Sequence, residues 1–362
     1  MVHKAQEPSQ PTTVTFYVLR TREVDMLDPA SPQVKTISDI FNISLVIAAL
    51  ILALVTGLTV YNVVRFRSRS DDEEPKQTHG NVRLEIAWTL GPALIVAFLF
   101  ILTLTGMTKA APYEVPTLRE SDVAAGTQST LPSDVLLRGH QFWWEIRYPS
   151  ANVVTANELH MPVGKRIRVQ LESADVVHGV WFPQLAPQLE PVPGQITYMA
   201  LESDRPGVYW GACSEFCGAE HVWMQLRGVV QTQADYDAWL RQQSQPAAPI
   251  PAPPASAATP PPSALLTPTA GDPGRGAQLF RQKTCISCHA INGTDAQGHA
   301  GPDLTHVASR SIIGAGVLDN TPTNMALWIA NPQKVKPYNL MPNLLLSSQE
   351  VQDLASYMET LK

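Results

Sequence analysis

The sequence predicts a multidomain membrane protein: a two-helix transmembrane hairpin, an all-β domain and a small all-α domain. Three observations carry this. Two long apolar runs, Ile40 to Val64 and roughly Ile86 to Met107, follow each other closely. From Asp134 to about Gln231, short β-branched and aromatic stretches alternate with turn residues. A stretch rich in Pro, Ala, Ser and Thr over residues 245–270 then sets apart a last unit with helical periodicity. The chain's 362 residues suffice for two or three domains.

Each apolar run is long enough to cross a bilayer as a helix, which takes about 20 residues. Buried core helices of that length usually keep a polar face, and these have almost none. Residues 1–35 are polar and Pro-containing, and read as an external N-terminal segment rather than a secretory signal. Arg65, Arg67, Arg69, Lys76 and Arg83 crowd the short loop between the spans. The positive-inside rule puts this loop in the cytoplasm. The expected location is therefore a bacterial inner membrane, contacting lipid, with both termini and everything after Lys109 on the outer, periplasmic side. The hairpin covers 36–109 and a polar connector 110–133.

The β pattern over 134–242 contains Arg166-Ile-Arg-Val-Gln-Leu, Gln195-Ile-Thr-Tyr-Met-Ala-Leu and Gly207-Val-Tyr-Trp. Pro162-Val-Gly164 and Arg205-Pro-Gly207 mark turns, so a sandwich or barrel is expected. Thr232 to Gln242 closes it as a short helix. Residues 243–270 cannot bury a core and read as a semi-rigid linker, extending to roughly 75 Å at most. In 271–362, helices are expected at Arg275 to Phe280, Thr323 to Ala330 and Ser347 to Leu361. The last carries an N-cap signal at Ser348 to Glu350 and a stripe of Val351, Leu354, Ala355 and Met358. A net charge of -6 without a basic stripe excludes a nucleic-acid partner.

All four cysteines fall in two clusters, which argues against a disulfide framework. The first reads Cys213-Ser-Glu215-Phe-Cys217, with His221 four and Met224 seven residues beyond the second thiol. Thiolates and imidazoles suit copper, and thioether sulfur is a weak further ligand. If both sulfurs bridge two copper ions, each ion still needs a nitrogen. His221 supplies one, and His178 is the best candidate for the other. The second cluster, Cys285-Ile-Ser-Cys288-His289, has the c-type haem attachment pattern, with His289 as an axial ligand. Met341, in Asn339-Leu-Met-Pro342, is the expected sixth ligand, with Met325 and Met358 as competitors on helices. Zinc would need further Cys or His at suitable spacing.

With these residues in view, the chain resembles subunit II of haem-copper cytochrome c oxidase over about residues 36 to 240. The matching stretches are Leu84-Glu-Ile-Ala-Trp88, Gly139-His-Gln-Phe-Trp-Trp144, Asp175-Val-Val-His178, Pro193-Gly194, Arg205-Pro-Gly-Val-Tyr-Trp210 and the Cys213 to Met224 loop. The resemblance implies a Greek-key cupredoxin fold carrying the dinuclear CuA centre. Its ligands would be His178, Cys213, Cys217, His221, Met224 and the Glu215 carbonyl. It further implies that the Glu215 side chain helps hold magnesium against subunit I, and that Glu85 sits near the mouth of a proton pathway. Residues 271–362 resemble a class I cytochrome c, with Gly301-Pro302-Asp303-Leu304 and the Met341 loop in the family pattern. Together they describe a caa-type subunit II.

Two positions depart from the family pattern. Phe142 stands where many members have the Trp that accepts electrons, which shifts that role toward Trp143, Trp144 or the donor domain. Gln195 replaces an Arg that contacts subunit I. The expected function is to carry electrons from an external donor, a cytochrome c or a quinol-cytochrome c reductase complex, through haem c and CuA to subunit I. There oxygen is reduced to water with proton translocation, so no catalytic residue is expected in this chain. A linker of this kind gives a donor concentration on the order of millimolar, so weak, transient docking suffices.

Three other readings are open to discrimination. A quinol oxidase subunit would lose the copper ligands, which are all present. A copper-delivery protein would lack His221 and Met224 and show an αβ pattern. A tethered electron carrier serving another acceptor would not need Glu85 and Trp88. Trp143 and Trp144 also read as core packing. Asp175 reads as a solubilising carboxylate, and His299 and His306 as surface or haem-pocket neighbours.

Overall fold

A computed structural model describes residues 27–67, 80–110, 132–249 and 270–362. Arg69 and Lys76, most of the connector and residues 250–269 lie outside the described residues.

Helix α1 (Pro32–Arg65) starts where Ser31 Oγ accepts from Val34 N at 3.1 Å, with Pro32 in the first turn. Helix α2 (Val82–Ala110) carries Glu85 in its first turn, exposed. No residue in the most apolar 18-residue window of either helix is buried by the rest of the chain. These are therefore not core helices. Uncovered apolar faces of this length are what a bilayer requires. The segment ahead of α1 is stitched to the β-domain. Ala30 N donates to Gln184 O and Asp204 N to Ala30 O, each at 2.9 Å, and Asp28 pairs with Arg205. The start of α1 thus lies on the same side as the β-domain.

That domain is a sandwich of two five-stranded sheets. One has the order β3 (Val153–Ala156), β2 (Trp143–Tyr148), β1 (Val135–His140), β5 (Ile167–Ser173), β8 (Thr197–Leu201). The other runs β4 (Glu158–Pro162), β10 (Gln225–Gln231), β9 (Gly207–Cys213), β6 (Val180–Phe182), β7 (Ala186–Leu189). Alternate residues of β1 and β10 are buried, as a half-buried strand demands. Trp144, Tyr148, Phe182 and Met199 fill the space between the sheets. Helix α3 (Gln233–Gln243), capped by Thr232, lays Tyr236, Trp239 and Leu240 against this core. Trp239 also stacks on His160 with ring centres 4.0 Å apart.

The last unit is built from α4 (Pro273–Gln282), α5 (Pro322–Ala330), α6 (Pro332–Val335) and α7 (Ser348–Thr360), with a small ladder of β11 (Ile312–Ile313) and β12 (Leu318–Asp319). The cap of α7 is Ser347, one residue before the sequence cue. Ser347 Oγ and the Glu350 carboxylate each bond the other's backbone amide. Val351, Leu354, Ala355 and Met358 are buried as the stripe predicts. Arg275 anchors α4 to Asp353 of α7 at 2.9 Å.

Two expectations change. His306 is neither a surface residue nor a cavity neighbour: it is 3% exposed and its ring nitrogens meet Lys362 O at 2.7 Å and Gln245 O at 2.9 Å. It ties the C-terminal end to the chain leaving α3. The start of the Pro-rich stretch is accordingly bound rather than spacer, since Ala247 N also donates to Asn292 O at 3.0 Å.

Candidate metal centre and haem site

Strand β9 ends at Cys213, and the chain returns through a loop to β10, which begins at Gln225. The loop is closed by Cys213 N donating to Met224 O at 3.1 Å. Cys213 faces Val180 of β6 in the ladder, and Ser214 N donates to Gly179 O at 3.0 Å. This sheet contact carries His178, 35 positions away in sequence, to the thiols. The two sulfurs lie 3.8 Å apart. His178 Nδ1 is 3.8 Å from the Cys213 sulfur, and His221 Nδ1 is 3.8 Å from the Cys217 sulfur. Met224, fully buried, brings its sulfur to 4.0 Å from Cys217, and the Glu215 carbonyl lies 3.2 Å from Cys213. The Glu215 side chain is half-buried beside the loop.

His178 is completely buried. Its Nε2 bonds Asp175 Oδ1 at 2.8 Å, which leaves Nδ1 directed at the thiols. Asp175 is therefore not a mere solubilising group. Burial raises its pKa, but the bonds from His178, Gln141 N and Val176 N outweigh this and keep it ionised. A carboxylate behind a ligating imidazole fixes its tautomer and raises its basicity. Gly139 makes room for the ring, because a Cβ there would stand 2.6 Å from His178 Cδ2. The bond from Cys217 is the largest influence holding Cys213 below the usual thiol range.

Two sulfurs, each flanked by its own imidazole, with a thioether and a carbonyl close by, exceed the four ligands of a structural zinc site. The donor set fits a soft-metal pair, which would be held by His178, Cys213, Cys217, His221 and Met224.

A large apolar cavity lies in the last unit, bounded by Cys285, Cys288, His289, Trp328 and the Met341 loop. His289 Nδ1 donates to Pro302 O at 2.7 Å, leaving Nε2 for a metal. Burial lowers the His289 pKa, so the ring stays neutral, as a ligand must. Gly301 packs on that ring, and a Cβ there would be 2.6 Å from Cε1. Met325, Met341 and Met358 all line the cavity. Met341 sits on a loop held by Asn339 Oδ1 and Gln333 Nε2, both at 2.8 Å.

Sequence reasoning missed Arg310. It is buried against this cavity with Nε lacking any hydrogen-bond partner. Its other face donates through Nη2 to Asp303 O, and the unsatisfied Nε beside an apolar hollow fits an anionic haem edge. A lone Arg has no spacing signal, so only the structure reveals it. Phe142 and Trp143 of the β-domain also border the cavity, whereas Trp144 packs inward against the His178 ring.

Three family patterns match the chain. Residues 20–105 match the transmembrane domain of cytochrome c oxidase subunit II, 151–232 its periplasmic domain, and 274–362 cytochrome c. Cytochrome c oxidase subunit 2 of Alkalihalophilus pseudofirmus is 33% identical over 338 residues, covering 93% of this chain and 90% of that protein. Its counterpart in Bacillus sp. strain PS3 is 27% identical, covering 82% and 80%. A crystal structure of the periplasmic domain of subunit II of cytochrome oxidase from Bradyrhizobium japonicum is 25% identical, covering 32% of this chain and 96% of that one, at a TM-score of 0.30.

Fold and site thus define a membrane-anchored, cupredoxin-like electron-transfer protein with an attached haem domain. The chain belongs to the cytochrome c oxidase subunit II family, with a cytochrome c domain at its C-terminal end. Membership implies a CuA centre, a haem and partnership with subunit I of a haem-copper oxidase.

Proposed function

We propose that this chain is the electron-accepting subunit of a caa-type cytochrome c oxidase. Haem c and the copper pair would supply one-electron carriers, and the chain's residues hold them and set their environment. Cys285 and Cys288 would attach the haem, with His289 and Met341 as axial ligands. His178, Cys213, Cys217, His221, Met224 and the Glu215 carbonyl would hold copper. Electrons would pass from an external donor, a cytochrome c or a quinol-cytochrome c reductase complex, to the haem domain, then to the copper-holding residues, then to subunit I. Phe142 and Trp143 lie between the two sites, which supports them as the accepting edge, and Trp144 supports His178 from behind. The Glu215 side chain would help hold magnesium at the subunit I surface, and Glu85 would mark a proton pathway. Both redox domains and both termini face the periplasm, with lipid around the hairpin.

The observation that carries this reading is the paired thiols with one imidazole each, in one chain with a Cys-x-x-Cys-His cavity. A quinol oxidase subunit has no need of that donor set. Purification from membranes tests it. The chain is expected to bring a large haem-bearing partner, and its resonance spectrum to show one unpaired electron shared equally by two copper nuclei. Isolation alone, or a spectrum of a single copper, would overturn it.

A further inference from the structure

The haem-bearing unit is seated on the copper domain through a built contact. Lys336 is 2% exposed, and its ammonium donates to Phe142 O of the β-domain at 2.9 Å. It lies 3.6 Å from the carboxylate of Glu220, itself 3% exposed, and 3.5 Å from Gly314 O of its own unit. Both charges are out of water in the contact, so removing one partner would leave the other buried and uncompensated, which is costly.

A second contact lies beside it. Glu158 Oε1 accepts from Ser311 N at 2.7 Å and Ile312 N at 2.9 Å, and Arg227 pairs with the same oxygen at 3.3 Å. Gln225 N donates to Ala315 O at 3.1 Å, and Ala315 packs with Trp143 and Ala156. The groups joined are close in sequence to residues of the two sites. Lys336 opens the segment that leads to Met341. Glu220 immediately precedes His221. Phe142 follows Gln141, whose Nε2 donates to Cys217 O at 2.6 Å.

We propose that Lys336 is a positioning residue: with Glu220, and with Glu158 on the Ser311 and Ile312 amides, it locks the haem-bearing unit at a fixed separation from the copper loop. The two units then act as one docked body rather than a tethered shuttle. This rests on the proposed path only for what passes between the sites; the docking itself is read independently.

The test uses the purified, fully loaded complex and amide hydrogen exchange by mass spectrometry over the segments holding Gln225, Ser311 and Ile312. In the parent protein these amides are expected to be protected. Lys336→Gln should speed their exchange by roughly a hundredfold, the scale for truncating one partner of a buried charge pair. It should also make electron transfer between the centres slower and salt-dependent, with the haem and copper spectra unchanged. Lys336→Arg should restore most of the protection. Glu158→Gln, nearly isosteric, should speed exchange at Ser311 and Ile312 alone, and decides the matter should Lys336→Gln lose haem. Exchange in the parent protein at the rate of exposed amides would overturn the proposal. So would unchanged protection and transfer rate in both variants. Missing copper or haem signals would instead defeat the proposed function and leave the docking result standing.

Discussion

The copper loop and the haem cavity solve the same problem, holding a redox metal, in opposite ways. At the copper loop the two sulfurs lie 3.8 Å apart and each has its own imidazole at 3.8 Å, because β6, β9 and β10 fix the ends of both contributing segments. At the haem site, the unit closes around a hollow lined with Phe280, Leu304, Trp328 and Met358. There a bound haem would complete the core. The comparison teaches that strand hydrogen bonds can preorganise a small donor cluster, whereas a large apolar group needs a cavity walled by several helices and loops.

Cys217→Ser should break the comparison most sharply. Replacing one of two bridging sulfurs should abolish the copper pair while leaving covalent haem intact, read as the copper-to-haem ratio of the purified chain. Asp175→Asn comes next. It keeps the shape but removes the carboxylate behind His178, and should weaken copper binding by about 10–100-fold in competition with a chelator. An unchanged affinity would return Asp175 to the surface role its sequence suggested. Met341→Ala should move the haem toward high spin and weaken its long-wavelength sulfur-to-iron band. An unaltered spectrum would pass the axial role to Met325 or Met358. Met224→Leu should have the smallest effect, keeping the purple pair but raising its potential on the order of tens of millivolts by electrochemical titration. No shift would remove Met224 from the ligand set.

Much of the candidate site was legible in the sequence because its donors are unusual and closely spaced. Cys213, Cys217, His221 and Met224 share one loop, and Cys285, Cys288 and His289 another. His178 was named by elimination and by family pattern, and the β6–β9 ladder brings it to Cys213. Asp175, Arg310 and His306 were misread or missed. Each is a common polar residue, and its role depends on what the fold sets beside it: the buried His178 ring for Asp175, the cavity for Arg310, Lys362 and Gln245 for His306. The burial of the Arg310 guanidinium, and of the His178 imidazole that Asp175 holds, is what separates these groups from solvated ones, and no local pattern records it.

Composition and spacing alone determined the hairpin, the alternating strands and the two cysteine clusters. Apolar run length, period-two alternation and ligand spacing are local quantities that survive without a fold. Only the tertiary structure decided how the units meet. Lys336 reads as one more surface lysine beside a proline until it is found buried against Glu220 and Phe142. A contact between residues more than a hundred positions apart depends on where two finished domains present their surfaces, and that is a property of packing rather than of sequence pattern.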